Sequence, residues 1–283
     1  MILRISQDSS LIDTDQKTEY LAYSAFQDSK VPVPVMIDMS EEDNKLGASF
    51  MLMRELNGEA ATPFTPDVYS PHEEELGNQF WSILGNIAKH EINDEIFENF
   101  SKETKKPFWK NELDKWNKVI HEDSIGVEPI LEAGIRYLYK NPPRENDFVS
   151  MVHGDYRSGN FLYLDNKITG ILDWEMAHLG DPLEDLGWAL SPIWSWQDKD
   201  RPAYLVKRED ALTIWKDSSG IEINESDLEW WELFAAIKGM AIWISAGHEF
   251  KSGKNTDPIN LFSAWIPGDI HLEIILDILE KNI

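Results

Sequence analysis

The chain is 283 residues long, with an apolar share of 42%, 12 tryptophans and 12 phenylalanines, ample for a packed core and too apolar for a disordered polymer. A formal net charge of −25 repels nucleic acid and anionic membranes and favours cationic partners by long-range steering. There is no cysteine, which excludes disulfides, thiolate metal sites and cysteine nucleophiles and fits a reducing cytoplasm. The acids are spread along the chain, the pattern of a solvated coat. No basic stretch followed by a long apolar run opens the sequence, and the patch at 240–244 is too short to span a bilayer, so the expectation is a soluble protein.

In chain order, residues 1–5 predict a short apolar strand. Residues 14–28 predict a helix capped by Thr14 or Asp15, with Tyr20, Leu21, Tyr23, Ser24 and Phe26 on its packing face. Residues 31–37, with two prolines, predict an extended segment at a sheet edge, and 48–55 a further strand just after Lys45, Leu46 and Gly47. Asn57-Gly58, prolines and threonines mark 57–71 as a linker and the lobe boundary, dividing 1–56 from 57–283. Helices are expected over 73–90, 107–121, 128–139, 226–246 and 269–279. Between them, 161–164 and 168–172 flank the turn Asp165-Asn166 as a hairpin.

The chemistry concentrates in His153-Gly154-Asp155-Tyr156-Arg157-Ser158-Gly159-Asn160, the hairpin, and Asp173-Trp174-Glu175. A buried strand would deliver His153 and Asp155 into a tight loop. The hairpin would return the chain, so that Asn160 and Asp173 face one another. An amide oxygen and a carboxylate at one spot are hard ligands, suited to Mg²⁺ rather than Zn²⁺. Asp155, nearby but off the metal, is placed to accept a proton from an attacking hydroxyl, and Arg157 to supply positive charge to a phosphate.

The spacing His-x-Asp-x-x-x-x-Asn followed by a metal-binding Asp resembles the protein-kinase catalytic loop. With Ile171-Leu172-Asp173-Trp174-Glu175 and the run AHLGDPLEDLGW at 177–188, it looks like the aminoglycoside phosphotransferase and choline kinase superfamily. Within that superfamily it is similar to the branch containing kinase domains fused to some acyl-CoA dehydrogenases. The resemblance implies a two-lobed α+β kinase-like fold and ATP or GTP as donor. Arg4 takes the place of the strand cation on the α- and β-phosphates, and Glu19 would pair with it. Residues 51–56, with Met53 and Glu55, take the place of the adenine-facing hinge. Asp185 resembles the acid that bonds the catalytic-loop backbone. A glycine-containing strand–turn–strand covers the nucleotide ahead of the Arg4 strand in this superfamily, whereas here the first glycine is Gly47. Two strands and their turn, roughly 15–20 residues, are therefore expected to be missing from the small lobe.

His153 reads as a buried loop organiser, His178 as a packing, capping or substrate group, and Glu175 as a metal ligand or a loop anchor. Trp194, Trp196, Trp230 and Trp231 are core, or an aromatic wall for a cationic or acyl substrate. The function expected is transfer of the γ-phosphoryl of ATP, with Mg²⁺, to a hydroxyl on a small molecule. Two alternatives stand beside it: a nucleotide-binding pseudokinase with an incomplete small lobe, and a kinase of hydroxylated acyl thioesters.

Overall fold

The computed structural model describes residues 1–5, 16–41, 44, 47–61, 65–102, 106–124, 126–146 and 149–282. The proposed caps Thr14 and Asp15, and Lys45 and Leu46, lie outside the described residues. By compactness the chain divides into two units, Met1–Thr104 with Phe148–Ile223, and Lys105–Asp147 with Asn224–Ile283. Neither unit boundary falls at residue 56, where the sequence divides the chain by lobe.

The first unit opens with strand β1 (Ile2–Ile5), helix α1 (Gln16–Ala25), β2 (Met36–Ser40) and β3 (Phe50–Met53). These strands form an antiparallel sheet in the order β1-β3-β2, with Arg4 opposite Met51. β2 is an edge strand, but Pro32 and Pro34 lie before it outside regular structure, and only Met36 and Ile37 of the predicted 31–37 segment enter the sheet. Met51 is fully buried, as are Ala22 and Phe26.

The segment after β3 is more than a linker. Glu59 bridges Tyr163 by paired backbone bonds of 2.9 and 3.0 Å, and the Thr169 hydroxyl donates to the Asn57 carbonyl at 2.6 Å. Proline and Asn-Gly punctuation marks where regular structure stops. It says nothing about what the irregular backbone then pairs with.

Helices α2 (Glu73–Ala88) and α3 (Asp94–Phe100) follow. The second was not expected: its seven residues span too few turns for periodicity, although Asn93 caps it by accepting from the Ile96 amide at 2.9 Å. Helices α4 (Phe108–Asp123) and α5 (Pro129–Lys140) belong to the second unit. The chain then returns to the first unit through β4 (Ser150–Val152), the hairpin β5 (Phe161–Leu164) and β6 (Lys167–Ile171), β7 (His178–Gly180), α6 (Pro182–Ala189) and α7 (Arg208–Ser219). β4 pairs with β7, and β5 with β6, all antiparallel. Asp165 takes the left-handed conformation (φ 53°) that the Asp-Asn turn calls for.

The second unit closes with two long helices, α8 (Glu225–Ser252) and α9 (Pro258–Asn282). Both outrun their expected spans. Helix α9 continues through Pro267, because one missing amide bond is outweighed by burial of Ile274, Ile275 and Leu279. Its core with α4 and α8 includes Trp116, Trp230, Trp231 and Phe234, with Trp230 stacked parallel to Phe234 at 5.7 Å. Each fully buried ring of this kind contributes about 2–3 kcal/mol. Trp230 and Trp231 are therefore core. Among the described residues, no helix is long and apolar enough to cross a membrane.

Candidate active site

Strand β4 is buried along its whole length and delivers His153, itself fully buried, into the loop. Gly154 has φ 85°, and a Cβ there would meet the Met176 carbonyl oxygen at 2.6 Å, so only glycine fits. The Asp185 carboxylate accepts from the backbone amides of His153 (2.6 Å) and Gly154 (2.9 Å), the contact the resemblance implies for it. It does so from the first turn of α6, whose cap is Asp181, accepting from the Leu183 amide at 2.9 Å.

His153 links loop to hairpin. Its Nδ1 accepts from the Asp155 amide at 3.1 Å, so Nε2 carries the proton and donates to the Leu172 carbonyl at 2.9 Å. Across the hairpin the Leu172 amide donates to the Asn160 carbonyl at 2.8 Å, extending the ladder one pair beyond Phe161 and Ile171. Asn160 is thus paired with Leu172, the residue before Asp173. Asp173 is left-handed (φ 67°, ψ 53°), uncommon for a residue other than glycine, and its amide donates to the Tyr23 hydroxyl at 3.0 Å.

The Asp155 carboxylate accepts from three side chains. Arg157 Nε lies 3.0 and 3.1 Å from its two oxygens, Asn160 Nδ2 2.6 Å from Oδ2, and Trp188 Nε1 2.8 Å from Oδ1. Arg157 also donates to the Ser158 carbonyl at 3.0 Å, and its guanidinium lies 4.8 Å from the Trp194 ring centroid. In this structure, then, Arg157 is bound to Asp155 rather than standing clear of it.

Arg4 sits at the centre of the acidic side. It reaches Glu19 at 2.5 Å, Glu175 at 3.2 Å and Asp173 at 3.7 Å. Burial pushes the Glu19 carboxyl up to about 7, against the pull of Arg4. Asp173 and Glu175 are also raised, first by burial and next by a neighbouring carboxylate, Asp155 for the one and Asp173 for the other. Carboxylates raised by one another gain from a bound cation, so this oxygen donor set fits a hard divalent ion.

Of the residues singled out from sequence, Arg4, Glu19, Asp155, Arg157, Asn160 and Asp173 thus join one connected polar cluster, with Glu175 on its Arg4 side. Met53 and Glu55 are not drawn into it by any described contact. Met53 is buried on β3 opposite Ile2 and Met36, and the exposed Glu55 carboxylate lies 3.6 Å from the Met1 amino group. His178 bonds Glu184 at 3.0 Å and the Met176 carbonyl at 3.0 Å, a packing and anchoring arrangement.

Two residues were missed. Tyr23 lies on the face of α1 that carries Glu19, one turn on. Trp188 lies three residues past Asp185 on α6. Helix spacing puts each on the face of a residue already singled out, since i, i+3 and i, i+4 positions are neighbours, but it does not say which acceptor or donor each side chain meets.

Residues 1–220 match the family described as phosphotransferase enzyme family, so the chain belongs to that family. It is 24% identical over 194 residues to acyl-CoA dehydrogenase family member 10 of Mus musculus, a match covering 67% of this chain. That match spans only 18% of the mouse protein. Among solved structures, a Ralstonia eutropha protein provisionally assigned as an aminoglycoside phosphotransferase superposes with a TM-score of 0.78 at 18% identity, covering 94% of this chain and 83% of that one. The streptomycin–ATP ternary complex of APH(2″)-IIa gives 0.59 at 18% identity, covering 87% and 79%. At such identities the likeness is one of fold: the two-lobed α+β kinase-like class expected from the motif.

Proposed function

We propose that the chain transfers the γ-phosphoryl group of ATP to a hydroxyl of a small molecule, with Mg²⁺ as the metal. The observation that carries this reading is the Asp155 carboxylate, held by the three donors Arg157, Asn160 and Trp188 and near enough to Asp173 to raise its carboxyl. The neighbour bound to ATP and streptomycin supports a nucleotide donor and a small-molecule acceptor.

Asn160 and Asp173 would hold the metal, Asn160 through the amide oxygen left when its nitrogen bonds Asp155. Bound there, Mg²⁺ neutralises phosphate charge. Arg4, fixed by Glu19, would face the α- and β-phosphates, and residues 51–56, with Met53 and Glu55, would form the adenine side. The proposed division is then a nucleotide-facing lobe over 1–56 and an acceptor-facing lobe over 57–283.

Asp155 takes the acceptor hydroxyl's proton as that oxygen bonds the γ-phosphorus. The bond from the γ-phosphorus to the bridging oxygen breaks, and ADP leaves with its electron pair. Arg157 has a quarter of its side chain exposed, so it is the donor an incoming hydroxyl displaces towards the phosphate.

Calorimetric titration with Mg·ATP, followed by a phosphate-transfer screen over aminoglycosides, amino alcohols and hydroxyacyl thioesters, tests the reading. Mg-dependent ATP binding with phosphorylated product supports it. Binding without any product leaves a nucleotide-binding pseudokinase, and the absence of both overturns it.

A further inference from the structure

Helix α6 grips the 153–160 loop at two points three residues apart. Asp185 holds the backbone amides of His153 and Gly154, and Trp188 donates from Nε1 to Asp155 Oδ1 at 2.8 Å. Residues at i and i+3 share a helix face, so one rigid element sets both where the loop runs and which way its carboxylate points. The three donors on Asp155 differ in kind. Arg157 is charged, long and partly exposed, and Asn160 has an oxygen to give elsewhere. The indole is 2% exposed and carries one N–H, which it gives to the Asp155 carboxylate.

The Trp188 ring is itself fixed. It packs on Trp194 with centroids 5.3 Å apart, and the Trp194 Nε1 donates back to the Trp188 carbonyl at 3.0 Å. That bond ties the end of α6 to the following turn, Pro192–Ser195. Trp194 in turn carries Arg157 on its face, which closes a ring through Asp155, Trp188, Trp194 and Arg157. Asn160 pins one carboxylate oxygen and Trp188 the other, which sets the plane of the group.

We infer that Trp188 is a positioning residue for phosphoryl transfer, orienting Asp155 towards the acceptor oxygen. The inference rests on the phosphotransfer reading above and adds the source of its geometry. Misaligning a reacting group costs rate while leaving the binding of the other substrate untouched.

Trp188→Phe keeps an aromatic ring beside Trp194 and deletes the donor together with part of the indole. With phosphate release from Mg·ATP as the assay and water as acceptor, kcat is expected to fall by about tenfold or more, the order of one lost hydrogen bond to a charged group. The KM for Mg·ATP and the calorimetric affinity are expected to stay as in wild type. An unchanged kcat, or parallel losses of kcat and Mg·ATP affinity, overturns the inference and leaves Trp188 as packing.

A second measurement needs no turnover. The indole ¹H–¹⁵N resonance that disappears in Trp188→Phe is expected to move upfield in Asp155→Ala, where its acceptor is gone. A resonance that stays put overturns the bond itself. A wild type that neither binds nor hydrolyses Mg·ATP takes down the phosphotransfer reading instead, and the indole signal still decides whether Trp188 holds Asp155.

Discussion

The His153 ring donates from Nε2 to the Leu172 carbonyl at 2.9 Å, so a single buried side chain joins the Asp155 loop to the residue preceding Asp173. Because the same ring accepts the Asp155 amide on Nδ1, it meets the backbone at both ends. Neither nitrogen is left to act as a base.

His153→Leu leaves the Asp155 amide and the Leu172 carbonyl without their partner in a buried setting. Unfolding free energy is expected to fall by about 2 kcal/mol or more, since each buried unpaired group costs on the order of 1–3 kcal/mol. Mg·ATP binding and turnover should decline together, because both aspartates lose their placement. Urea titration and calorimetry on the same preparation check this. Turnover lost at unchanged stability would instead give His153 a direct chemical role.

Legibility from the sequence followed the range of each interaction. The hairpin was readable because Asp165-Asn166 is a local turn signal between two apolar runs, and its register then brings Asn160 to Leu172, next to Asp173 in the chain. His153 could be read as an organiser from its fixed spacing to Asp155. The Arg4–Glu19 pair was placed by family resemblance, and the 2.5 Å contact bears it out. Long-range side-chain bonds were not readable. Nothing around Trp188 says that its indole N–H finds a carboxylate 33 positions earlier, and nothing around Glu59 says that it pairs with Tyr163. The span of α9 failed for another reason: Pro267 is a local stop signal that packing against α8 overrides.

The second unit makes a pH prediction. Burial pushes the His271 imidazole down to about 4; it is fully buried, with Nδ1 2.8 Å from the Pro267 carbonyl and Nε2 without a partner among the described residues. A folded value below the unfolded one means that the unfolded chain takes up the proton first. This contribution to stability is therefore full above about 6.5 and is lost as pH falls towards 4, by about 3 kcal/mol in all. Glu19, raised from 4.5 to about 7, works the other way: its contribution is full below 4.5 and is lost as pH rises towards 7. The two windows overlap, so wild type alone would show only their difference. His271→Gln should flatten the acid side of the urea-midpoint profile between pH 4 and 6.5, and Glu19→Gln should steepen it. A His271→Gln profile parallel to wild type would mean that the imidazole titrates normally in the fold.

The sharpest division of labour lies between Asp155 and Asp173. Asp173 is proposed to hold the metal against the nucleotide phosphates, beside Arg4 at 3.7 Å, so Asp173→Ala should remove turnover together with the metal-dependent part of ATP binding. Asp155 is proposed to orient and deprotonate the acceptor without touching metal. Asp155→Asn keeps the shape and an oxygen for one donor while losing the charge, so Mg·ATP binding should stay near normal while turnover falls by about 10²-fold or more. Asp155→Ala should fall at least as far, since it leaves Arg157, Asn160 and Trp188 without their shared acceptor. The measurement is calorimetric titration of Mg·ATP and of ATP with chelator, beside phosphate release, for wild type and the three variants. If Asp155→Asn abolishes nucleotide binding as completely as Asp173→Ala, the two residues share one role and the base lies elsewhere. Turnover like wild type in both variants would remove the chemistry from this site altogether.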